Sequence, residues 1–312
     1  MRILITESED FSPKALAELQ KHFEVIQHNF TSLDDLTENL AEVDALFVRL
    51  RFKFTKEILE KAPQLQYILT ATTGLDHIDV DYFESRGGTV ISLKGEVEFL
   101  GTIPSTAEHT WALLLALLKK IPSAFEDVKE GNWFRDHFKG NNLRGKKIGI
   151  LGLGRVGKQV AHFAEAFGLA IGYFDIVAQT NNYKSFSNPK ELFRWADIIS
   201  IHIPYNAANE NFVNEQLLQH CQPNAVLINT SRGNVWDEQF IAELLKQNKI
   251  YGIATDVLQD EFNKKQLKRN PLVELAAEEY NIIITPHIAG ATYESMAMTE
   301  EFIASQFRAT IK

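Results

Sequence analysis

Only one cysteine, Cys221, occurs in 312 residues, which excludes an internal disulfide and any cysteine-based zinc site and fits a reducing compartment. Long apolar runs are also missing. The longest strongly apolar stretch, Trp111 to Leu118, is far shorter than a bilayer span needs, so no membrane segment is expected. The N-terminus opens on the strand-like Arg2-Ile3-Leu4-Ile5-Thr6 in place of a signal peptide, and the expected location is the cytoplasm. Positive charge is in deficit: 32 Lys and Arg against 41 Asp and Glu give a net charge of −9. That balance argues against a general grip on nucleic acid while leaving room for a local anion pocket. No histidine or carboxylate cluster has metal-ligand spacing, so no metal is expected, and there is no short repeat or low-complexity tract.

What remains is ordinary globular usage, 45% hydrophobic and 23% charged, in a chain long enough for two domains. From Met1 to about Leu93, apolar runs at 3–5, 25–26, 45–48, 67–69 and 90–93 alternate with amphipathic stretches, the pattern of a small parallel α/β domain. Ser12-Pro13, Thr31 or Ser32, Thr55 and Asp79 are the expected helix starts. Lys94 to Pro104 reads as a loop, and Ser105 to Ile121 as one long apolar helix that crosses into a second domain.

The most specific stretch runs from Lys146 to Asp175. A short apolar strand leads into Gly152, Gly154 and Gly157 in the order G-x-G-x-x-G, a helix follows to Phe167, Gly168 stops it, and a second strand ends at Asp175. Strand before, helix after and an acid at the end of the next strand together indicate a dinucleotide site. Gly152 permits the tight turn, Gly154 admits a pyrophosphate to the backbone, Gly157 allows the helix to pack on the strand, and Asp175 takes the ribose hydroxyls. Asp175 would repel a 2′-phosphate, and Ile176-Val177-Ala178 brings no cation to receive one, so NAD is expected over NADP. Further strands at 197–203, 225–229, 250–256 and 281–285 complete six for a Rossmann sheet, with helix starts at Asn188-Pro189 and Asp237. The segment from Thr292 to Lys312 reads as helical.

Ligands of parallel sheets lie beyond the carboxyl ends of the strands, so the residues that follow each strand are the candidates. Thr230-Ser231-Arg232-Gly233 follows one strand, Asp256 and then Glu261 another, and Pro286-His287 a third. Singly, these are more often a surface ion pair, a solvated acid and a packed turn. At one sheet edge they are the parts for hydride transfer to a 2-oxo acid: Arg232 binds the carboxylate and polarises the carbonyl, and His287 gives and takes the proton. Glu261 then fixes the histidine tautomer and stabilises the imidazolium. In the first domain, Arg49, Arg51 and Lys53 alternate with Leu50, Phe52 and Phe54. In an extended segment they form a cationic face, either plain surface or a pocket for a phosphorylated or otherwise dianionic 2-oxo acid.

The sequence resembles the D-isomer-specific 2-hydroxyacid dehydrogenase family, which includes D-3-phosphoglycerate dehydrogenase, along nearly its whole length. The resemblance is carried by Thr73-Gly74-Leu75-Asp76-His77-Ile78-Asp79, Ala107-Glu108-His109-Thr110, Gly152 to Gly157, His202-Ile203-Pro204, Asn229-Thr230-Ser231-Arg232-Gly233, Thr255-Asp256-Val257 and Thr285-Pro286-His287-Ile288-Ala289-Gly290. It implies two doubly wound α/β domains, a Rossmann NAD-binding domain over residues 103–288 and a discontinuous flavodoxin-like substrate domain over 1–102 and 289–312. It implies Arg232, Glu261 and His287 as the catalytic set, and Arg49, Arg51, Thr73, Gly74, Leu75 and Arg232 as substrate contacts, the backbone of Gly74 and Leu75 holding the carboxylate. The implied cofactor contacts are Gly152, Gly154, Arg155, Val156, Gly157, Asp175, His202, Pro204, Thr230, Asp256, His287 and Gly290.

The expected partner is a small anionic 2-oxo or 2-hydroxy acid, 3-phosphohydroxypyruvate first, with glyoxylate, hydroxypyruvate and D-lactate-type acids as alternatives. An NAD(H)-sensing binding protein with little turnover is the alternative of another class, and formate dehydrogenase, where glutamine partners the histidine, is opposed by Glu261. A homodimer built around the Ser105 helix is expected, and a C-terminal regulatory domain is not expected. Two departures from the family stand out. Phe262 follows Glu261 where the family has proline, and Trp236 replaces a small aliphatic residue, which is expected, like a long Lys94–Pro104 loop, to reshape the pocket. Trp111, Trp133 and His109 are read as packing residues.

Overall fold

The computed structural model describes residues 1–179 and 181–311. The chain divides into two compact units, Met1–Ile103 with Gly290–Lys312, and Pro104–Ala289.

The first unit holds five parallel strands, β1 (Arg2–Ile5), β2 (Glu24–Gln27), β3 (Ala45–Val48), β4 (Tyr67–Thr70) and β5 (Thr89–Ile91), in the order β2-β1-β3-β4-β5. This is the flavodoxin-like order. Strand alternation sends Leu4, Leu46, Val48 and Ile68 into a core with Phe30, Leu36, Phe54 and Phe83. It sends Ile3, Ile5, Phe47 and Leu69 to the opposite face, against Phe11, Leu19, Ile303 and Phe307. The last two come from the C-terminal helix Tyr293–Thr310, capped by Thr292, so the end of the chain covers the sheet that its beginning forms. Helices start at Ser12, Ser32, Thr55 and Asp79, with the Ser12 hydroxyl and the Asp79 carboxylate accepting N–H groups of the first turn.

Seven parallel strands build the second unit: β6 (Lys147–Leu151), β7 (Ala170–Phe174), β8 (Lys184–Ser185), β9 (Ile198–Ile201), β10 (Ala225–Asn229), β11 (Ile250–Thr255) and β12 (Ile282–Ile284). Their order, β12-β11-β10-β9-β6-β7-β8, is the Rossmann order with one strand added beyond it. Along β10, Ala225 and Leu227 enter one core layer and Val226 and Ile228 the other, so both faces are covered and the strand reads as continuously apolar.

Three details differ from the sequence reading. The sequence reading lacks β8, whose two residues carry no apolar pattern and pair only at the sheet edge. The stretch expected as a loop contains the helix Val97–Gly101, which buries Leu100. The long apolar helix ends at Leu118. Lys120 takes a left-handed φ of +54°, and a separate helix, Ile121–Lys129 with Pro122 in its first turn, begins there. Among the described residues no helix is long and apolar enough to cross a membrane.

Candidate active site

In the second unit every strand ends in a turn at the same sheet edge, because all pairings are parallel. β6 leads into Gly152, whose φ of +93° lies in the left-handed region and whose Cβ position is 2.9 Å from the His202 carbonyl oxygen. Gly157 would set a Cβ 2.2 Å from the Gly152 oxygen, which is why the helix Arg155–Ala166 can lie so close to its strand. At Gly154, the N-cap, a Cβ would meet nothing within 4 Å. Open space at a helix N-terminus, beside the first N–H groups at Arg155 and Val156, has the chemistry a pyrophosphate needs. Burial lowers the Arg155 pKa from its ordinary value.

β7 brings Asp175 back to this turn. Its Oδ2 accepts the Leu153 N–H at 2.7 Å and its Oδ1 the Val177 N–H at 2.8 Å, which leaves lone pairs for ribose hydroxyls. Ile176, next along the chain, is 91% exposed. After β9, His202 Nε2 lies 2.7 Å from Ser200 Oγ, and desolvation pushes its pKa down to about 3, so the ring is neutral at physiological pH. Pro204 follows on the surface. The glycine turn, Asp175 and the neutral His202 region together fit a dinucleotide.

β10 ends on the buried Asn229, which folds the next turn around itself. Its Oδ1 accepts from the Ser231 N–H and hydroxyl, and its Nδ2 donates to the Arg232 carbonyl at 2.9 Å. Thr230 pairs with Thr110 at 2.8 Å, and Arg232 Nη1 donates to the Ser231 carbonyl at 2.8 Å. Gly233 then passes so close to the next turn that a Cβ would lie 2.1 Å from the Leu258 carbonyl carbon.

Asp256 follows β11 and Thr285 follows β12, and the two turns are bound together. Asp256 is 1% exposed. Its Oδ1 accepts from Thr285 Oγ1 at 2.6 Å and the Ile288 N–H at 2.9 Å, its Oδ2 accepts the Ala289 N–H at 2.7 Å, and its carbonyl accepts the His287 N–H at 2.8 Å. His109 Nε2 adds contacts at 2.9 Å to Thr285 Oγ1 and 3.4 Å to Asp256 Oδ1. Burial alone would raise the Asp256 carboxyl, but the hydrogen bonds from His109, Thr285, Ile288 and Ala289 outweigh it and hold it below its ordinary value. This support matters because His287 sits at a left-handed φ of +56°, a conformation a non-glycine residue keeps only where its surroundings impose it.

On the same turn, His287 Nδ1 lies 2.5 Å from Glu261 Oε1, and Glu261 Oε2 accepts the Leu258 N–H at 3.3 Å. Both side chains are about one-fifth exposed, 22% and 21%. With Nδ1 engaged, Nε2 is the nitrogen left to exchange a proton with a substrate. The departure at Phe262 therefore does not separate the acid from the histidine. Trp236, expected to reshape the pocket, is instead fully buried in the core of this unit, and Trp133, expected to pack, is 85% exposed. His109, read as helix packing, is hydrogen-bonded to the turn before His287; an isolated histidine in an otherwise apolar helix was the signal for it.

In the first unit, the loops after β3 and β4 carry the other candidates. The stretch from Arg49 to Lys53 is a series of bends rather than an extended strand. Arg49 gives Nε and Nη2 to Glu300 Oε1 at 2.9 and 2.5 Å, and Nη1 to the Glu9 carbonyl. Arg51 Nη1 donates to Asn29 Oδ1 and the Phe30 carbonyl. Both backbone N–H groups are held by the buried Glu7 carboxylate. Beyond β4, Thr72 Oγ1 donates to the Gly74 carbonyl at 2.9 Å and closes the turn that presents Thr73, Gly74 and Leu75. Gly290 lies in an exposed turn before the C-terminal helix.

Residues 111–289 match the family model described as the NAD-binding domain of D-isomer specific 2-hydroxyacid dehydrogenases. The whole chain is 32% identical to a D-3-phosphoglycerate dehydrogenase of Methanocaldococcus jannaschii, and spans 58% of the length of that protein. A hydroxypyruvate reductase of Thermotoga maritima is 32% identical over 84% of this chain and 83% of its own. The crystal structure of a D-lactate dehydrogenase from Aquifex aeolicus, complexed with NAD and lactic acid, superposes with a TM-score of 0.83. It is 29% identical, over 99% of this chain and 95% of that one.

Proposed function

Because the chain belongs to the D-isomer specific 2-hydroxyacid dehydrogenases, with residues 111–289 as its NAD-binding domain, we propose that it interconverts a 2-oxo acid and a D-2-hydroxy acid. The observation that carries this reading is the 2.5 Å contact between His287 Nδ1 and Glu261 Oε1 at the carboxyl edge of the nucleotide-binding sheet. Bound NADH supplies the hydride for reduction, and NAD accepts it in the reverse direction. Arg232 carries the planar fork of donors that binds a carboxylate and polarises the neighbouring carbonyl. His287 Nε2 delivers the proton to the carbonyl oxygen as it becomes a hydroxyl, and Glu261 stabilises the imidazolium that makes this possible. The turn at Thr73, Gly74 and Leu75 offers backbone N–H groups to the substrate carboxylate.

The phosphorylated substrate rests on Arg49, Arg51 and Lys53. One observation favours a small unphosphorylated acid in its place: the Arg49 guanidinium is already neutralised by the buried Glu300. The test is NADH oxidation by the purified chain across 3-phosphohydroxypyruvate, hydroxypyruvate, glyoxylate, pyruvate and longer branched acids. Turnover of at least one, abolished in His287→Phe, supports the reading, and the preferred acid decides between the two substrate classes. Tight NADH binding with silence across the panel would shift the reading to a binding protein.

The chain is further proposed to act as a cytoplasmic homodimer. The helix Ile121–Lys129 buries none of its residues in its own unit, and Ile121, Phe125 and Val128 form one exposed face at 53, 61 and 46% exposure. Such a face suits a second copy of the chain.

A further inference from the structure

Glu261 reaches His287 from an irregular segment. The chain leaves β11 at Thr255, passes Asp260 at a left-handed φ of +52°, forms the four-residue helix Lys264–Leu267 and then enters the helix Pro271–Ala277. No proline stiffens the residue after Glu261, and Phe262 is 41% exposed. Something else must fix the place of the glutamate.

The two ends of this excursion meet at one side chain. Glu238 stands in the first turn of the helix Glu238–Lys246, behind the N-cap Asp237, and is 3% exposed. Its Oε1 accepts the Gln259 N–H at 2.8 Å, two residues before Glu261, and its Oε2 accepts from the side-chain amide of Asn270. Asn270 is itself the N-cap of the helix that ends the excursion, with its Oδ1 accepting the Leu272 N–H at 2.9 Å. Gln259 is tied a second time, by its side-chain amide to the Trp236 carbonyl at 2.8 Å. A buried carboxylate is an expensive choice at a position where an apolar residue would pack, and desolvation raises the pKa of Glu238 accordingly. What the charge supplies is acceptors in two directions at once, and both donors lie on the segment that carries Glu261.

We propose that Glu238 is a positioning residue: by joining Gln259 to Asn270 it closes the base of the Glu261 loop and sets Glu261 against His287. The proposal rests on the dehydrogenase reading above for its kinetic consequence, but the closure of the loop has a readout of its own.

The experiment compares the full-length wild type with Glu238→Ala, Glu238→Gln, Glu261→Gln and the double variant Glu238→Ala/Glu261→Gln. With the best substrate from the panel, Glu238→Ala is expected to lower kcat at least tenfold, with KM and NADH affinity within twofold. Its pH profile should shift toward that of Glu261→Gln, because both leave the imidazolium without its anionic partner. Glu238→Gln keeps one acceptor and is expected to recover most of the rate. The double variant should be no slower than Glu261→Gln alone, since Glu238 acts through Glu261. Amide hydrogen exchange, read without substrate, should be at least tenfold faster at Gln259 to Phe262 in Glu238→Ala. Should that variant fail to fold, Glu238→Gln carries the same exchange and double-variant comparisons with a threefold expected change. Unchanged rate, pH profile and exchange in a folded variant would overturn the proposal while leaving the dehydrogenase reading intact, and so would independent, multiplying effects in the double variant. A wild type silent on every acid, with exchange still faster in the variant, would sink the dehydrogenase reading and leave the loop closure standing.

Discussion

Asp175 and Asp256 are both carboxylates at strand ends, yet their hydrogen bonds give them different work. Asp175 keeps lone pairs beyond the two it offers to Leu153 and Val177, and no cation follows it before Gln179. NADH is therefore expected to be strongly preferred over NADPH at equal concentration, and the pair Asp175→Ser with Ile176→Arg to narrow that preference at least tenfold. The KM for NADH should rise in the same variant, since the carboxylate also braces the glycine turn. Equal turnover with both cofactors in the wild type would contradict this.

Asp256 has its oxygens engaged by protein donors, and Asp256→Asn leaves a buried N–H without an acceptor, which costs about 1–3 kcal/mol at neutral pH. The pH dependence follows from its lowered pKa. The folded state binds fewer protons here than the unfolded chain, so this stabilisation is complete above the ordinary carboxylate value of about 3.9 and disappears as pH falls through the lowered value. The gap in Tm between wild type and Asp256→Asn should therefore narrow in acid. A gap that is constant or widens would mean that the carboxylate charge is not what holds the His287 turn.

At the scale of elements, the glycine turn separates two effects that one motif usually confounds. In Gly157→Ala the added methyl meets the Gly152 carbonyl oxygen at 2.2 Å, so helix and strand must part, an overpacking cost of about 1–3 kcal/mol. In Gly154→Ala the methyl meets no protein atom within 4 Å, yet it occupies the space a pyrophosphate needs. Thermal melts and NADH titrations should thus show Gly157→Ala losing both Tm and affinity, and Gly154→Ala losing affinity alone. The same motif was also the most legible part of the sequence, because each glycine answers to a local backbone demand. β10 and β11 were equally plain, since apolar runs buried on both faces have few other uses. The break at Lys120 was not: Leu117, Leu118 and Ile121 continue the apolar pattern across it, and only the left-handed backbone at Lys120 divides the helices. Strand ends pointed to Arg232, Asp256 and His287. The loop after β11 and the family resemblance added Glu261 as the partner of His287, whereas the tie from Glu238 to Gln259, across 21 residues, has no local pattern that encodes it. Glu238 in particular reads as a solvated position in an amphipathic helix, and only the fold shows it to be buried.

At the scale of the whole molecule, the net charge of −9 works against self-association, so an assembly must rest on apolar surface. Ser105–Leu118, the helix whose apolar character first suggested a dimer, is largely consumed within its own unit, where Ala107, Trp111, Leu113, Leu114, Leu117 and Leu118 are buried. The surplus lies just after it. Ile121, Phe125 and Val128 recur at the spacing of one helical face, and Trp133 and Phe134 follow at 85 and 55% exposure. A self-complementary contact of ordinary size covers about 800 Å² on each partner, and this nine-residue helix with two flanking aromatics contributes to such an area. Burying Phe125 on each copy removes its ring from water twice in a symmetric pair, so a single substitution acts doubly. The wild type is expected to sediment as a dimer at micromolar concentration and Phe125→Glu as a monomer, with NADH affinity retained because the glycine turn lies elsewhere in the same unit. A wild type that sediments as a monomer would leave this face without a partner of its own kind, and a Phe125→Glu dimer would place the interface elsewhere.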